Sequence, residues 1–140
     1  MKPRCTLSLI LCLLFACCGT TLASNNGVLS SSTILSCSAS LQKGSSKGKL
    51  SLNYTIRGNA TMSTIGVSSI KLYTSSGSYV TTITGTTSNG LLAKNSLSQK
   101  NSYTCSVTSG TSYYAVVTFV ATGGGLSDSK QIKTNTVTAP

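Results

Sequence analysis

The amino-acid sequence predicts an all-β protein, folded as one sandwich of about seven short strands. Apolar residues recur at every second position from residue 33 onward, and nowhere recur at helical spacing over a helical length. Clusters of Gly, Ser and Asn separate these alternating segments, as turns separate the strands of a sandwich. A chain of 140 residues, 39% of them hydrophobic, is long enough for one packed domain and no more.

The first residues have the pattern of an export signal. Lys2 and Arg4 precede an apolar run over residues 7–15, and Ala23 ends a small-residue cleavage pattern. The run is too short to span a bilayer comfortably, and no second apolar segment follows it. We therefore expect no transmembrane segment in the mature chain. The predicted organisation is a signal peptide, an N-terminal linker and a sandwich domain: residues 1–23, 24–32 and 33–138.

A lipid anchor is the alternative for this segment. The residues before Cys17 resemble a bacterial lipobox, in which that cysteine would be lipidated and become the mature N-terminus. The expected location is therefore secreted or extracellular, with association to the cell envelope as the alternative.

The sequence pattern in the first half of the domain predicts three strands and a hairpin. Apolar residues alternate with serine over residues 35–41 and, after a turn at 43–48, with polar residues over 50–57. Each segment would have one buried and one solvent-facing side. Residues 70–84 contain a further strand, a Ser-Gly turn and a short returning strand.

The second half is less regular at first. Residues 86–100 contain an Asn-Gly turn, followed by Leu91 and Leu92, which we expect to close one end of the core. Residues 113–121 are apolar on both faces, as in a central strand, and the last strand ends near Val137. The predicted core is Leu35, Leu50, Leu52, Tyr54, Ile56, Ile70, Leu72, Val107, Tyr113, Ala115, Val117 and Phe119.

The composition excludes most enzymes. Asp128 is the single acidic residue, and the chain has no Glu or His. Glycosidases and aspartic proteases need two carboxylates, zinc sites usually need His or clustered Cys, and calcium sites need several carboxylate oxygens. We therefore expect no catalytic residues, no metal and no cofactor.

Signal cleavage would remove four of six cysteines and leave Cys37 and Cys105. Both are in phase with apolar neighbours, and an even pair in an exported chain suggests a disulfide.

Positive charge is the strongest indication of function. Cleavage leaves nine cations against Asp128, a net charge of +8. Lys43, Lys47 and Lys49 cluster at the first hairpin and are the predicted contacts to a polyanion. The expected partner is an anionic cell-wall polymer or glycan. Nucleic acid is disfavoured because eight of the nine cations are lysine. No pattern in the sequence indicates the oligomeric state.

The tyrosines divide into two groups. Three are in phase with core residues: Tyr54, Tyr103 and Tyr113. The other three are expected to be more exposed: Tyr73, Tyr79 and Tyr114. An exposed set could form a stacking platform for sugars, although the absence of Trp weighs against this interpretation.

Residues 107–113, Val-Thr-Ser-Gly-Thr-Ser-Tyr, followed by alternating apolar residues, resemble the E–F corner of fibronectin type III domains. The resemblance implies an immunoglobulin/fibronectin III-like sandwich, with Tyr113 as a structural corner tyrosine that bonds to nearby backbone. In that strand order Cys37 and Cys105 would lie on strands about 9–10 Å apart, beyond disulfide reach, so their pairing stays open.

A second resemblance covers residues 33–139. The chain is similar to a family of small exported proteins of clostridial Firmicutes, which would make it bacterial. The resemblance assigns no activity, substrate or site residue. The segments that carry it are Gly-Lys-Leu-Ser at 48–51, Met-Ser-Thr-Ile-Gly at 62–66, Ile-Lys-Leu-Tyr at 70–73, Gly-Leu-Leu at 90–92, residues 111–119 and Ser-Asp-Ser-Lys at 127–130.

These observations predict an exported, non-catalytic module that associates with an anionic envelope or extracellular surface. Two alternatives remain open: a surface lipoprotein anchored at Cys17, and a soluble effector that acts on other cells.

Overall fold

The computed structural model describes residues 32–140, which contain strands and no helix. All pairings are antiparallel and join the strands into one curled sheet, which confirms the all-β prediction. The predicted signal peptide and Cys17 lie outside the described residues. No helix in the described part could cross a membrane. The strands are β1 (Ile34–Lys43), β2 (Lys49–Thr74), β3 (Tyr79–Thr84), β4 (Leu92–Ser106), β5 (Ser112–Gly123), β6 (Leu126–Lys133) and β7 (Val137–Thr138).

Strand β2 is the centre of the sheet and has 26 residues. Its first half, residues 49–58, pairs with β1 on one side and β4 on the other. Its second half, residues 64–74, pairs with β5, while β4 continues alongside it over residues 62–66 and β3 pairs with residues 69–73. Strands β6 and β7 both extend the sheet from β5. One long strand therefore takes part in both halves of the sheet.

The pairing register of β2 shifts at two places, between Arg57 and Met62 and between Val67 and Ser69. The buried side chains are at even positions from Leu50 to Ile56 and at Met62, at odd positions at Ile65 and Val67, and at even positions again from Ile70. The first shift therefore leaves the buried phase unchanged, and the phase changes only after Met62. The second shift accompanies the return to even positions, because a β-bulge changes which face the following strand residues point to.

The inward side chains of both halves meet in one core. The rings of Tyr54 and Phe119 lie 6.5 Å apart between the two halves. Leu91 is fully buried, as expected for a residue that closes one end of the core. Strand β5 supplies the middle of the core because its alternate residues from Tyr113 to Ala121 are all buried.

Two predicted core residues differ in the structure. Leu35 is 63% exposed, so its assignment to the core is wrong. The register of β1 shifts between Ile34 and Ser36, and Ile34 occupies the buried position instead. Val107 is half-buried because it follows the end of β4 and packs on the core only from its edge. Ala139 is also buried, one residue past the predicted end of the domain.

A side chain covers part of the outer edge of β1. The Asn135 Oδ1 accepts a hydrogen bond from the Leu41 N–H, and the Asn135 Nδ2 donates to the Leu41 carbonyl, both at 2.9 Å. These two bonds satisfy the backbone groups of Leu41 that β2 does not pair, in the way a neighbouring strand would.

Tyr113 makes a local hydrogen bond to the turn before β5. Its hydroxyl accepts from the Thr108 N–H at 3.1 Å and donates to the Thr108 carbonyl at 3.4 Å. The ring is buried, so this contact ties the turn between β4 and β5 to the core.

Candidate functional site

The outward side chains of β1, the first half of β2 and β4 form one continuous polar surface, which we call the outer polar face. Cross-strand partners in a sheet point to the same side, so the register places these residues in rows across the three strands. The rows contain hydroxyl, amide and cationic groups and no acid. The members are Ser36, Ser38, Ser40 and Gln42 on β1, Lys49, Ser51, Asn53, Thr55 and Arg57 on β2, and Ser98, Lys100, Ser102, Thr104 and Ser106 on β4.

Two shallow depressions lie along this face, at successive levels of β2. One, of about 470 Å³, is lined by Asn53, Thr55 and Lys100, together with residues of the flanking strands. The other, of about 510 Å³, lies nearer the hairpin between β1 and β2, and Lys43 and Lys49 contribute to its lining. Small side chains on the flanking strands leave room for a ligand above the central strand.

Three cations lie on the outer polar face along the direction of β2. Lys49 is level with Ser106, and its Nζ donates a hydrogen bond to the Ser106 Oγ at 2.6 Å. Lys100 lies beside Thr55, and Arg57 is two residues farther along β2. Eight residues of extended strand separate Lys49 from Arg57, which corresponds to about 26 Å. A ligand that contacts all three cations must therefore be extended.

The lysines predicted from the first hairpin differ in position. Lys43 and Lys49 both line the depression near this hairpin. Lys47 is exposed in the turn and does not line it. No local pattern in the sequence connects Lys100 or Arg57 with these lysines. The link is the pairing of β2 with β4, strands about fifty residues apart, and it carries no local sequence signal.

The single acid lies on β6, which is not one of the strands that form the outer polar face. Asp128 accepts a hydrogen bond from the Ser32 hydroxyl at 2.8 Å, and this bond lowers the pKa of the carboxyl below its ordinary value. The carboxylate is therefore charged at neutral pH and is held near the start of β1.

The disulfide predicted between Cys37 and Cys105 is not formed, and both residues are free thiols. Cys37 is level with Ile56 on one side of β2, and Cys105 is level with Leu50 on the other. The two strands lie about 9–10 Å apart, and the levels differ by about 20 Å along β2, so a disulfide cannot span them. Burial raises the pKa of both thiols, which keeps them protonated at neutral pH.

The chemistry available on this face is recognition by hydrogen bonds and charge. Hydroxyl and amide groups can donate to anionic oxygens, and Lys and Arg add charge-assisted bonds. Within residues 32–140, no three His, Cys, Asp or Glu side chains come together as metal ligands would.

Comparisons with protein-family models, with curated proteins and with solved structures found no match to this chain.

Proposed function

We propose that this protein is an exported, non-catalytic β-sandwich module that associates with an anionic polymer of the cell envelope or of an extracellular surface. The outer polar face would be the contact surface. The observation that carries the proposal is the alignment of Lys49, Lys100 and Arg57 over about 26 Å of a face without any acid.

We also propose that the curled sheet is an immunoglobulin/fibronectin III-like sandwich. The pairing order β1-β2-β4 in the first half and β3-β2-β5-β6 in the second is the order expected of the two sheets of a fibronectin III-like sandwich. In this interpretation β2 supplies one strand to each sheet without a break. The local bond of Tyr113 to Thr108 agrees with the role of a corner tyrosine.

The spacing of the cations favours a polymer over a small anion. A single phosphate or sulfate can contact at most Lys100 and Arg57, which are diagonal neighbours, whereas a chain of regularly spaced charges can contact all three cations at once. Each exposed contact contributes little alone, about 0.5–1 kcal/mol, so useful affinity requires several contacts together. Teichoic acids, acidic glycans and anionic lipid surfaces share this repeated charge.

The test uses long-chain inorganic polyphosphate as the probe, because it presents repeated charge without sugar rings or bases. The variant Lys49→Gln/Arg57→Gln/Lys100→Gln removes the aligned cations. The matched control is Lys47→Gln/Lys94→Gln/Lys130→Gln, which lowers the net charge equally at other positions. We expect the first variant to lose about tenfold or more in affinity at low salt, and the control to lose much less.

Salt dependence gives a second measurement on the same proteins. The logarithm of the binding constant should fall linearly with the logarithm of salt concentration, and the slope should decrease by about 2–3 when the three aligned cations are removed. Equal losses in the two variants would mean that net charge alone attracts the polymer. Absence of binding at low salt, or binding indifferent to salt, would reject the proposal.

A further inference from the structure

Three tyrosines lie side by side on the outer face of the second half of the sheet, and we call them the tyrosine platform: Tyr73, Tyr79 and Tyr114. They come from three adjacent strands, since Tyr73 on β2 is paired with Tyr79 on β3 and with Tyr114 on β5. The rings of Tyr73 and Tyr114 are stacked, with centroids 5.4 Å apart. The rings of Tyr73 and Tyr79 meet edge to face at 5.9 Å.

The platform is open to solvent. Tyr79 is 60% exposed, and Val80 beside it is also exposed. Tyr73 and Tyr114 are half-buried, chiefly against their neighbours on the same face. Aromatic pairs across strands stabilise a sheet, which accounts for the contact between Tyr73 and Tyr114. The edge contact of Tyr73 with Tyr79 is a cross-strand pair of the same kind, but it covers only part of the Tyr79 ring, and the exposed remainder is available to a ligand.

Two cations border the platform. Lys71 lies two residues before Tyr73 on the same face, and Lys133 places its Nζ 4.1 Å from the centroid of the Tyr114 ring. Val116 separates Lys71 from Lys133 in the next row of side chains. The backbone positions of the tyrosines and of the two lysines are therefore about 7 Å apart along the strands, the rise of two residues, and the Lys133 ammonium reaches back over the Tyr114 ring. One sugar residue can reach from one row to the other.

We propose that the tyrosine platform, with Lys71 and Lys133, is a binding site for a polysaccharide that carries carboxylate groups, such as a polymer of hexuronic acids. The apolar C–H face of a sugar ring packs on an aromatic ring, and the carboxylate of the same or the next sugar pairs with a lysine. Charge complementarity selects an acidic sugar, because the lysines border the rings and Asp128 is the single acid of the chain. This site is separate from the outer polar face, whose members lie on other strand segments.

Single-stranded nucleic acid also combines stacking surfaces with negative charge. The cations at this site are both lysine, which binds phosphate as a point charge without the planar stacking and paired donors of arginine. The observations therefore favour the sugar polymer, and nucleic acid becomes an outcome of the test.

The experiment measures binding of the full chain to polygalacturonate by titration calorimetry. Fully methyl-esterified polygalacturonate is the matched ligand, because it has the same sugar backbone without charge. We expect Tyr79→Ala to weaken binding of polygalacturonate about tenfold, whereas Tyr79→Phe, which retains the ring, binds within twofold of the unaltered protein. Lys71→Gln/Lys133→Gln should weaken binding about tenfold, and the charge-matched Lys94→Gln/Lys130→Gln should change it by less than threefold.

Polyphosphate separates this proposal from the previous one. It has no sugar face, so its binding should not depend on the Tyr79 ring, and it should weaken about tenfold or more in the Lys49→Gln/Arg57→Gln/Lys100→Gln variant. Equal binding of the two polygalacturonates, or equal effects of Tyr79→Ala and Tyr79→Phe, would overturn the tyrosine platform as an acidic-sugar site. The proposal would also be overturned if binding of single-stranded poly(dT) depended on the Tyr79 ring and binding of polygalacturonate did not. That result would assign the platform to nucleic acid. Neither result would affect the polyphosphate measurement.

Discussion

The hydroxyl of Tyr113 offers a sharp test of how the turn before β5 is held. The Tyr113→Phe variant keeps a ring of nearly the same size in a position that is 3% exposed, and removes only the hydroxyl. The structure gives this hydroxyl one good hydrogen bond, from the Thr108 N–H at 3.1 Å, and one long contact to the Thr108 carbonyl at 3.4 Å. The substitution therefore isolates a single side-chain bond to the backbone.

The expected loss of stability follows from that geometry. One net hydrogen bond contributes about 1 kcal/mol, and the Thr108 N–H keeps partial access to water because Thr108 is exposed. We expect the free energy of unfolding to fall by about 1–1.5 kcal/mol. With a urea m-value of about 1–1.5 kcal/mol/M for a chain of this size, the unfolding midpoint should fall by about 1 M.

Urea unfolding followed by circular dichroism measures this shift, and Tyr54→Phe is the comparison. The Tyr54 hydroxyl donates to the Gly90 carbonyl at 2.7 Å, and the Gln99 Nε2 donates to the same oxygen at 2.7 Å. Removing the Tyr54 hydroxyl leaves the Gly90 carbonyl with its bond from Gln99. We therefore expect Tyr54→Phe to lower the free energy of unfolding by about half as much as Tyr113→Phe, or less. A Tyr113→Phe midpoint within about 0.2 M of the unaltered protein would refute the reasoning.

Two further predictions concern the thiols and one glycine. Alkylation of the denatured, unreduced protein should label both Cys37 and Cys105. If neither cysteine were labelled, the two would be paired in a disulfide and the prediction would be wrong. In the native protein the raised thiol pKa values should keep labelling slow until the pH exceeds 9.0, the ordinary value, and Cys37 should react first because Cys105 is buried. Gly66→Ala should destabilise the protein by well over 1 kcal/mol, because φ is +145° and the new Cβ would overlap the Leu91 carbonyl oxygen. Gly77→Ala has positive φ but open space around it, so thermal unfolding should show a smaller loss, and equal losses would contradict the role of the Leu91 contact.

The sequence predicted the strands in which the inward residues are apolar at every second position without interruption. Apolar and polar residues alternate over 50–57, residues 113–121 are apolar on both faces, and the inward side chains of both segments are buried as expected. The continuous course of β2 through residues 58–69 was not predicted, because the phase of the buried residues changes after Met62 and again before Ile70. Leu35 was misplaced for the same reason, since the irregularity beside it is set by pairing with β2 and not by its own neighbours.

The candidate site was predicted only where its residues are close in sequence. Lys43 and Lys49 belong to one hairpin, and a local pattern reveals them. Lys100 joins them through the register between β2 and β4, which depends on packing of the whole core. The tyrosine platform likewise depends on pairing between strands that are distant in sequence. The phase of each tyrosine indicated exposure, but only the strand order places Tyr73 between the other two.

The contact of Asn135 with Leu41 affects how this protein behaves among copies of itself. An uncovered strand edge is a template on which a second chain can add a strand, and repeated addition produces fibrils. Asn135 occupies both backbone groups of Leu41, so an incoming strand would have to displace it before pairing at that point. Unlike a real strand, the amide has no second edge to offer to the next molecule. One side chain therefore ends the sheet at this position, in a protein whose strands would otherwise favour self-assembly at high concentration.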